Sequence, residues 1–262
     1  MGWLHAINWL YSASGFAVGL LVGFTGVGGG SLMTPLLVLL FGFHPATAVG
    51  TDLLYAGLTK SGGTVIHGLN RTVDWRIVRR LASGSLPGTA ATLLVLSWSG
   101  TGNARTGATI GVALGLALIL TAVTLLARTW LLARLARLSE RLTDRQTATW
   151  TVLLGLFLGV MVSLTSVGAG AIGVTVLLVL YPRMPTVRIV GSDIAHAVPL
   201  TLLAGAGHWY VGTVDWALLG SLLIGSLPGI VIGSHFAVRV PDRVLRPILA
   251  VTLLVVGLRL VL

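Results

Sequence analysis

The feature that most constrains this chain is a glycine-dense break inside a long apolar run. Residues 7–43 are otherwise almost wholly apolar, and the break reads Thr25-Gly26-Val27-Gly28-Gly29-Gly30-Ser31. Because glycine costs about 1 kcal/mol relative to alanine in a helix interior, this cluster argues against one continuous helix. In a membrane, broken backbone is stable only where protein buries it or where it lines an aqueous cavity. The sequence therefore predicts two half-helices that meet inside a bilayer.

Composition independently indicates a membrane protein. Of the 262 residues, 55% are hydrophobic and only 9% are charged, whereas soluble domains carry about 25% charged residues. The net charge of +10 comes from arginines in short loops between apolar segments, which follows the positive-inside rule and differs from a nucleic-acid-binding patch. The absence of cysteine excludes disulfides and thiolate chemistry. The first residues show no basic segment and no cleavage site, so we expect no removable signal peptide.

The second half of the chain repeats the first. The stretch Thr165-Ser166-Val167-Gly168-Ala169-Gly170 matches the first break at an offset of 140 residues. After the breaks the offset becomes 141, where residues 213–216 repeat the Thr-Val-Asp-Trp of residues 72–75, and residues 225–229 repeat the Gly-Ser-Leu-Pro-Gly of residues 84–88. Paired helix breaks in two repeats are the best sequence indicator of a secondary transporter's binding site.

The predicted fold is an all-α integral membrane protein. It is a polytopic helix bundle of two inverted repeats, each a broken-helix hairpin followed by about three transmembrane helices. We expect the first repeat at 1–127, a basic cytoplasmic linker at 128–148 and the second repeat at 149–262. Four regions are rich in arginine: 71–80, 128–148, 183–188 and 239–246. They reach the same side of the membrane only if each broken hairpin enters and returns through one face. Each repeat then has an odd number of full spans, which inverts the second repeat.

Several motifs together resemble the TauE/SafE family of anion permeases. They are residues 26–32 with Pro35, the Ala-Val-Gly-Thr-Asp of residues 48–52, and the duplicated Gly-Ser-Leu-Pro-Gly. The resemblance covers nearly the whole chain. It implies a multi-pass transporter of sulfite, sulfoacetate or similar sulfonates in the bacterial inner membrane. The second break departs from the first, since Ala169 replaces Gly29 and Ala171 replaces Ser31, so the two halves of a site would differ.

Candidate substrate ligands flank the breaks. Backbone N–H groups at the start of a half-helix, together with nearby hydroxyls, suit the weakly basic oxygens of a sulfonate. The predicted substrate-binding residues are Thr25, Gly28, Gly29, Gly30, Ser31, Thr51, Lys60, Thr165, Ser166, Gly168, Gly170 and Ser192. The alternative for the hydroxyls is a hydrogen bond back to a helix carbonyl. The alternatives for Lys60, the only lysine, are a structural ion pair and a side chain that extends from a helix end to the interface.

Three further residues are candidates for proton coupling: Asp52, Asp193 and His196. The aspartates are equivalent in the repeat, and their alternative role is helix capping. His196 lies one turn after Asp193, and Tyr55 takes its place in the first repeat. His67 and His208 are also equivalent, with an interfacial position as the alternative to proton coupling.

The sequence thus predicts a secondary transporter with alternating access to a central oxyanion site. The alternatives are an ion channel and a metal-ion permease, although Asp193 and His196 supply too few ligands for a convincing metal site. No motif of an intramembrane hydrolase is recognised, so we expect no enzymatic activity. The expected partners are the lipid bilayer and a small anion, without cofactor, metal or nucleic acid. The oligomeric state is open, with a homodimer as one option.

Overall fold

The computed structural model describes residues 8–25, 30–99, 104–139, 142–236 and 242–262. Those residues form ten α-helices and one π-helix. In chain order the helices are α1 (Trp9–Thr25), α2 (Gly30–Leu39), α3 (Pro45–Leu69), α4 (Trp75–Ser99), α5 (Ala104–Ser139), α6 (Asp144–Thr165), α7 (Val174–Leu180), α8 (Thr186–Tyr210), α9 (Trp216–Phe236) and α10 (Asp242–Val261). The π-helix, Ala169–Gly173, directly precedes α7.

The predicted all-α membrane fold is confirmed. Within the described ranges, four helical segments are long and apolar enough to cross a membrane: Thr106–Leu135, Asp144–Thr165, Thr186–Tyr210 and Trp216–Gly233. Large apolar side chains also cover the outside of the bundle, among them Leu94, Leu116, Val123 and Val231. Apolar residues both inside and outside are expected of helices that contact lipid.

Both predicted breaks separate two helices. α1 ends at Thr25 and α2 begins at Gly30, while Gly28 and Gly29 lie outside the described residues. After α6, Ser166 has φ 59° and Gly168 has φ 114°. A left-handed residue is a common way to end an α-helix, and glycine adopts it without a steric penalty. The segment that follows this break starts with the π-helix and continues as α7, so its first turn is not a regular α-helix.

Glycines allow helices of different repeats to pack closely in matched pairs. Gly15 on α1 lies against the backbone of Leu222 on α9. Its equivalent, Gly155 on α6, lies against the backbone of Leu81 on α4. A side chain at either glycine would overlap that backbone, which is the use of small residues expected between membrane helices. The pairs α1–α9 and α4–α6 are therefore two copies of one arrangement, and each joins the hairpin of one repeat to a helix of the other.

Helices α3 and α8, which are equivalent in the repeat, pack against each other in opposite directions. Gly50 near the start of α3 lies against His208 near the end of α8. Gly191 near the start of α8 lies in the same way against His67 near the end of α3. Antiparallel contact between equivalent helices is what an inverted repeat requires. The orientation of the repeats in a membrane stays a prediction.

The second hairpin begins and ends at the same end of the molecule. Asp144, the first residue of α6, accepts hydrogen bonds from Arg76 (2.7 Å) and Arg80 (3.0 Å) at the start of α4. Arg80 also donates to the Tyr181 hydroxyl, directly after α7, at 3.1 Å. Three arginine-rich regions of the sequence thus lie together at this end.

The predicted linker at 128–148 is largely helical. α5 continues to Ser139 and α6 begins at Asp144, where Thr143 caps the helix in a capping box with Gln146. The stretch between the repeats is therefore short, and most of its arginines belong to the ends of α5 and α6. The division into repeats at residues 127 and 149 stays a prediction.

Candidate functional site

Two buried carboxylates lie on opposite sides of the centre of the α3–α8 contact. Asp52 is 0% exposed and Asp193 is 2% exposed. The midpoint between the matched glycine contacts falls near Leu58 on α3 and Pro199 on α8. At 1.5 Å per helical residue, each carboxylate lies about 10 Å from that midpoint. The aspartates thus occupy two half-sites.

Lys60 lies between these half-sites. Its side chain is half-buried, and its ammonium interacts electrostatically with Asp193 and then with Asp52. The three ion pairs of the described residues all lie at the arginine-rich end, and Lys60 takes part in none of them. The central cation therefore has two carboxylates in its surroundings but no direct ion-pair partner.

The Asp52 half-site consists of Asp52, Tyr55, Ser166 and Ser226. Thr34 on α2 donates a hydrogen bond to Asp52 Oδ2, whereas Asp52 Oδ1 has no partner. Ser166, from the break of the other repeat, lies beside this carboxylate, and its hydroxyl is also unpartnered. Ser226 on α9 lies next to the Tyr55 hydroxyl, but no hydrogen bond of good geometry joins the two oxygens. All these side chains are buried.

The Asp193 half-site consists of Asp193, His196 and Ser85. Ser85 Oγ lies 2.8 Å from His196 Nε2, while His196 Nδ1 has no partner. Asp193 Oδ1 is likewise unpartnered. A methyl group at Gly173 on the π-helix would overlap Asp193 Oδ1. The equivalent aspartates are thus held differently, one by a threonine hydroxyl and the other against a glycine.

Some predicted hydroxyl ligands make structural hydrogen bonds. Thr51 Oγ1 accepts from the Asp215 backbone N–H at 3.0 Å, and Ser192 Oγ accepts from the Asp74 N–H at 2.8 Å. These equivalent bonds tie the start of each central helix to a turn of the other repeat. Thr165 donates to a carbonyl of its own helix. Ser192 also donates to the Arg188 carbonyl of its own helix at 2.7 Å, so Thr165 and Ser192 make the bond that the alternative describes. Thr51 instead accepts from the other repeat. A role of these three residues in substrate binding stays a prediction.

The predicted backbone ligands at the breaks are only partly described. Gly28 and Gly29 lie outside the described residues, and the side chains of Thr25 and Ser31 do too. In the second break, the Gly168 carbonyl accepts from the N–H groups of the last two π-helical residues, Ile172 and Gly173, and Gly170 lies within the π-helix. The binding of an anion by N–H groups at the breaks stays a prediction.

The equivalent histidines His67 and His208 have different environments. His208 is fully buried, and its ring nitrogens lie 2.9 Å from the Thr213 hydroxyl and 2.9 Å from the Ser163 carbonyl. His67 is half-buried, and its Nδ1 lies 2.8 Å from the Thr72 hydroxyl. His208 thus forms part of the packed interior, while the interfacial position of His67 stays a prediction.

The sequence patterns assigned no role to four polar residues of the half-sites: Thr34, Tyr55, Ser85 and Ser226. The duplicated Gly-Ser-Leu-Pro-Gly contained a usable signal, because its serines are Ser85 and Ser226. The repeat offset shows that Tyr55 and His196 are equivalent and that the two serines are equivalent. It does not show that Tyr55 lies beside Ser226 and His196 beside Ser85, because that depends on which helices are in contact. The missing information was therefore tertiary.

A polytopic bundle whose two repeats exchange helices around a polar centre has the architecture of a membrane transporter. Comparison with known families agrees with this class. Residues 11–260 match the family described as "Sulfite exporter TauE/SafE", and the chain belongs to that family.

Similar proteins are also described as membrane transporters. The chain is 39% identical over 248 residues to "Probable membrane transporter protein YjnA" of Bacillus subtilis (strain 168), covering 94% of this chain and 97% of that protein. It is 28% identical over 252 residues to "Probable membrane transporter protein YdhB" of the same organism, covering 94% and 96%. A "Probable membrane transporter protein" of Xylella fastidiosa (strain 9a5c) is 25% identical over 233 residues, covering 86% and 83%. No solved structure matches the chain.

Proposed function

We propose that this protein is a secondary transporter of small sulfur-containing anions, such as sulfite, sulfoacetate or similar sulfonates. The observation that carries the proposal is Lys60, a cation at the centre of an apolar bundle that makes no direct ion pair in the described part of the chain. Charged side chains inside a membrane are costly and usually serve transport or pair with another group. An anion that contacts Lys60 would lie between the Asp52 half-site and the Asp193 half-site, within reach of side chains from both.

The two carboxylates support coupling of the anion to protons. An anion at Lys60 would bring a third negative charge close to Asp52 and Asp193. In the low dielectric of the bundle, like charges repel strongly. Protonation of one or both carboxylates, or of His196 beside Asp193, removes that repulsion. We therefore include proton coupling through Asp52, Asp193 or His196 in the proposal.

The matched helix pairs support alternating access. The pairs α1–α9 and α4–α6 are each packed backbone against backbone through glycines, so each pair can move as a unit. Rocking of one pair and then the other against α3 and α8 would open the centre to opposite sides of the membrane. The proposal places the arginine-rich end in the cytoplasm and the protein in the bacterial inner membrane.

The first test is ligand-dependent thermal stabilisation of the purified protein in detergent. The ligands are sulfite, thiosulfate, sulfoacetate, sulfolactate, taurine, sulfate, acetate and phosphate at matched ionic strength. A ligand at 100 times its Kd stabilises by about 2.7 kcal/mol, so a specific anion should raise the Tm clearly above the others. A flat response to all anions, with stabilisation by a divalent metal alone, would support a metal-ion permease instead.

Flux into proteoliposomes then separates a transporter from a channel. We expect uptake of the stabilising anion to saturate with concentration and to respond to an imposed proton gradient. Uptake that rises linearly with concentration and follows membrane potential alone would contradict alternating access.

A further inference from the structure

Two buried hydroxyl groups near the centre of the molecule have no hydrogen-bond partner. Tyr55 on α3 is 1% exposed and Ser226 on α9 is 0% exposed. Their oxygens are neighbours across the boundary between the repeats. No hydrogen bond of good geometry joins the two oxygens, and neither oxygen has another partner in the described part of the chain. An unpaired buried hydroxyl is unfavourable, because the group has lost its hydrogen bonds to water. Both oxygens are therefore available to a ligand.

The equivalent pair of side chains in the other repeat is closed. His196 takes the place of Tyr55, and Ser85 takes the place of Ser226. Here the side chains are joined, with Ser85 Oγ at 2.8 Å from His196 Nε2. The helices that carry the two pairs are equivalent. The packing of these helices therefore does not by itself prevent a hydrogen bond between the two side chains. The Tyr55–Ser226 pair is the one that stays open.

The neighbouring groups indicate what the open pair binds. Asp52 lies near Tyr55, and Ser166 lies beside Asp52. Asp52 Oδ1 and the Ser166 hydroxyl are both unpartnered. Lys60 lies five residues after Tyr55 on α3, and its ammonium interacts electrostatically with Asp193 and Asp52. Hydroxyl groups donate hydrogen bonds to an anion's oxygens without adding charge, so two hydroxyls and one ammonium form a suitable set of donors for an oxyanion. The carboxyl group of Asp52, when protonated, would add one more donor to that set.

We infer that Tyr55 and Ser226 contact the substrate directly and together bind an oxygen of the transported oxyanion. The inference rests on the proposed function and names two residues of the same site. It also gives the duplicated Gly-Ser-Leu-Pro-Gly a role, because that motif places one serine from each repeat beside the central helices. One serine binds substrate while the other holds His196.

The test compares Tyr55→Phe and Ser226→Ala with the wild-type protein, with sulfite and sulfoacetate as probes. Each variant removes one hydrogen-bond donor and leaves most of the side-chain volume. We expect each to weaken the apparent Kd for the stabilising probe about tenfold, which corresponds to about 1.4 kcal/mol. Without ligand, the Tm should stay equal to that of the wild type or rise, because an unpaired hydroxyl is no longer buried. A hydroxyl with a purely structural role would lower the ligand-free Tm when removed.

Two matched controls lie outside the site. Tyr11 packs against Phe41 and Phe43, and the exposed Ser97 donates to a carbonyl of its own helix. We expect Tyr11→Phe and Ser97→Ala to keep the wild-type Kd. An unchanged Kd in Tyr55→Phe and Ser226→Ala, with a wild-type protein that binds the anion, would overturn the inference and leave the proposed function standing. A wild-type protein that neither probe stabilises would overturn both.

Discussion

At the scale of single residues, the centre of the molecule is defined by a departure from its own symmetry. The residue equivalent to Lys60 is Thr201, whose hydroxyl donates to the carbonyl of Ala197 on its own helix at 2.8 Å. The bundle thus has paired carboxylates but one central cation. A single ammonium near the midpoint of α3 and α8 can bind one anion that arrives from either side of the membrane. Two equivalent cations, one in each repeat, would instead provide two separate anion sites.

Removal of the Lys60 charge should weaken anion binding strongly while preserving the fold. Lys60→Met keeps the length of the side chain and removes its charge, so we expect the apparent affinity for the stabilising anion to fall at least tenfold. The ligand-free Tm should not decrease, because removing a cation without a direct partner also removes its desolvation cost. The measurements are stabilisation titrations and uptake into proteoliposomes.

Lys60→Arg serves as the matched variant, because it keeps the positive charge in a different shape. It should retain part of the binding that Lys60→Met loses. Full transport by a correctly inserted Lys60→Met protein would remove this residue from the site and with it the main support for an anionic substrate.

The two serines of the duplicated motif should respond oppositely to the same substitution. Ser85→Ala leaves His196 Nε2 without its partner, so we expect destabilisation of about 1–3 kcal/mol. Ser226→Ala removes a hydroxyl that has no partner, so its ligand-free stability should be unchanged or higher. Differential scanning fluorimetry on both variants measures the difference. Equal loss of stability would show that the two serines have the same structural role.

At the scale of helices, sequence patterns predicted the elements well and their contacts poorly. The glycine clusters predicted both breaks, because their cost in a helix is local. The π-helical turn before α7 was not predicted, since a π-turn depends on how the segment packs against Asp193. Much of the linker predicted at 128–148 belongs to α5, which continues to Ser139, because leucine and arginine are good helix formers. Likewise, no pattern in the sequence shows that Thr51 and Ser192 each accept a hydrogen bond from a backbone N–H of the opposite repeat.

The close helix pairs should depend on their glycines, and the chain contains a suitable control. Gly155→Ala adds a methyl group that overlaps the backbone of Leu81, so α4 and α6 must move apart. We expect a loss of about 1–3 kcal/mol of stability, as for overpacked cores. Gly220→Ala on α9 places its methyl in open space and should be neutral or stabilising by up to about 1 kcal/mol.

Thermal unfolding and size-exclusion behaviour in detergent measure both effects. A Gly155→Ala protein as stable as Gly220→Ala would show that the contact between α4 and α6 is looser than described. The equivalent Gly15→Ala variant, on α1, should behave like Gly155→Ala, because it meets the backbone of Leu222 in the same way.

At the scale of the whole molecule, the two ends of the bundle differ in chemistry. One end carries the network of Arg76, Arg80 and Asp144. The equivalent region of the other repeat carries the aromatic contacts of Tyr11 with Phe41 and Phe43. If the two repeats were identical, both ends of the bundle would carry the same side chains. The difference between the ends therefore needs a cause other than the repeat. The positive-inside rule supplies one, since it favours arginines at the cytoplasmic end only.

This asymmetry gives a topology that can be tested with single cysteines, because the chain has none of its own. We expect Asn70→Cys, Pro182→Cys and Arg243→Cys to be labelled from the cytoplasm. The first two positions flank the arginine network. For the third, Gly115 near the start of α5 lies against Val261 at the end of α10, so α10 must begin near the end of α5. Tyr210→Cys, at the far end of α8, should be labelled only from the opposite side. Labelling of positions 70 and 243 from opposite sides would rule out hairpins that enter and return, and the two repeats would then not be inverted.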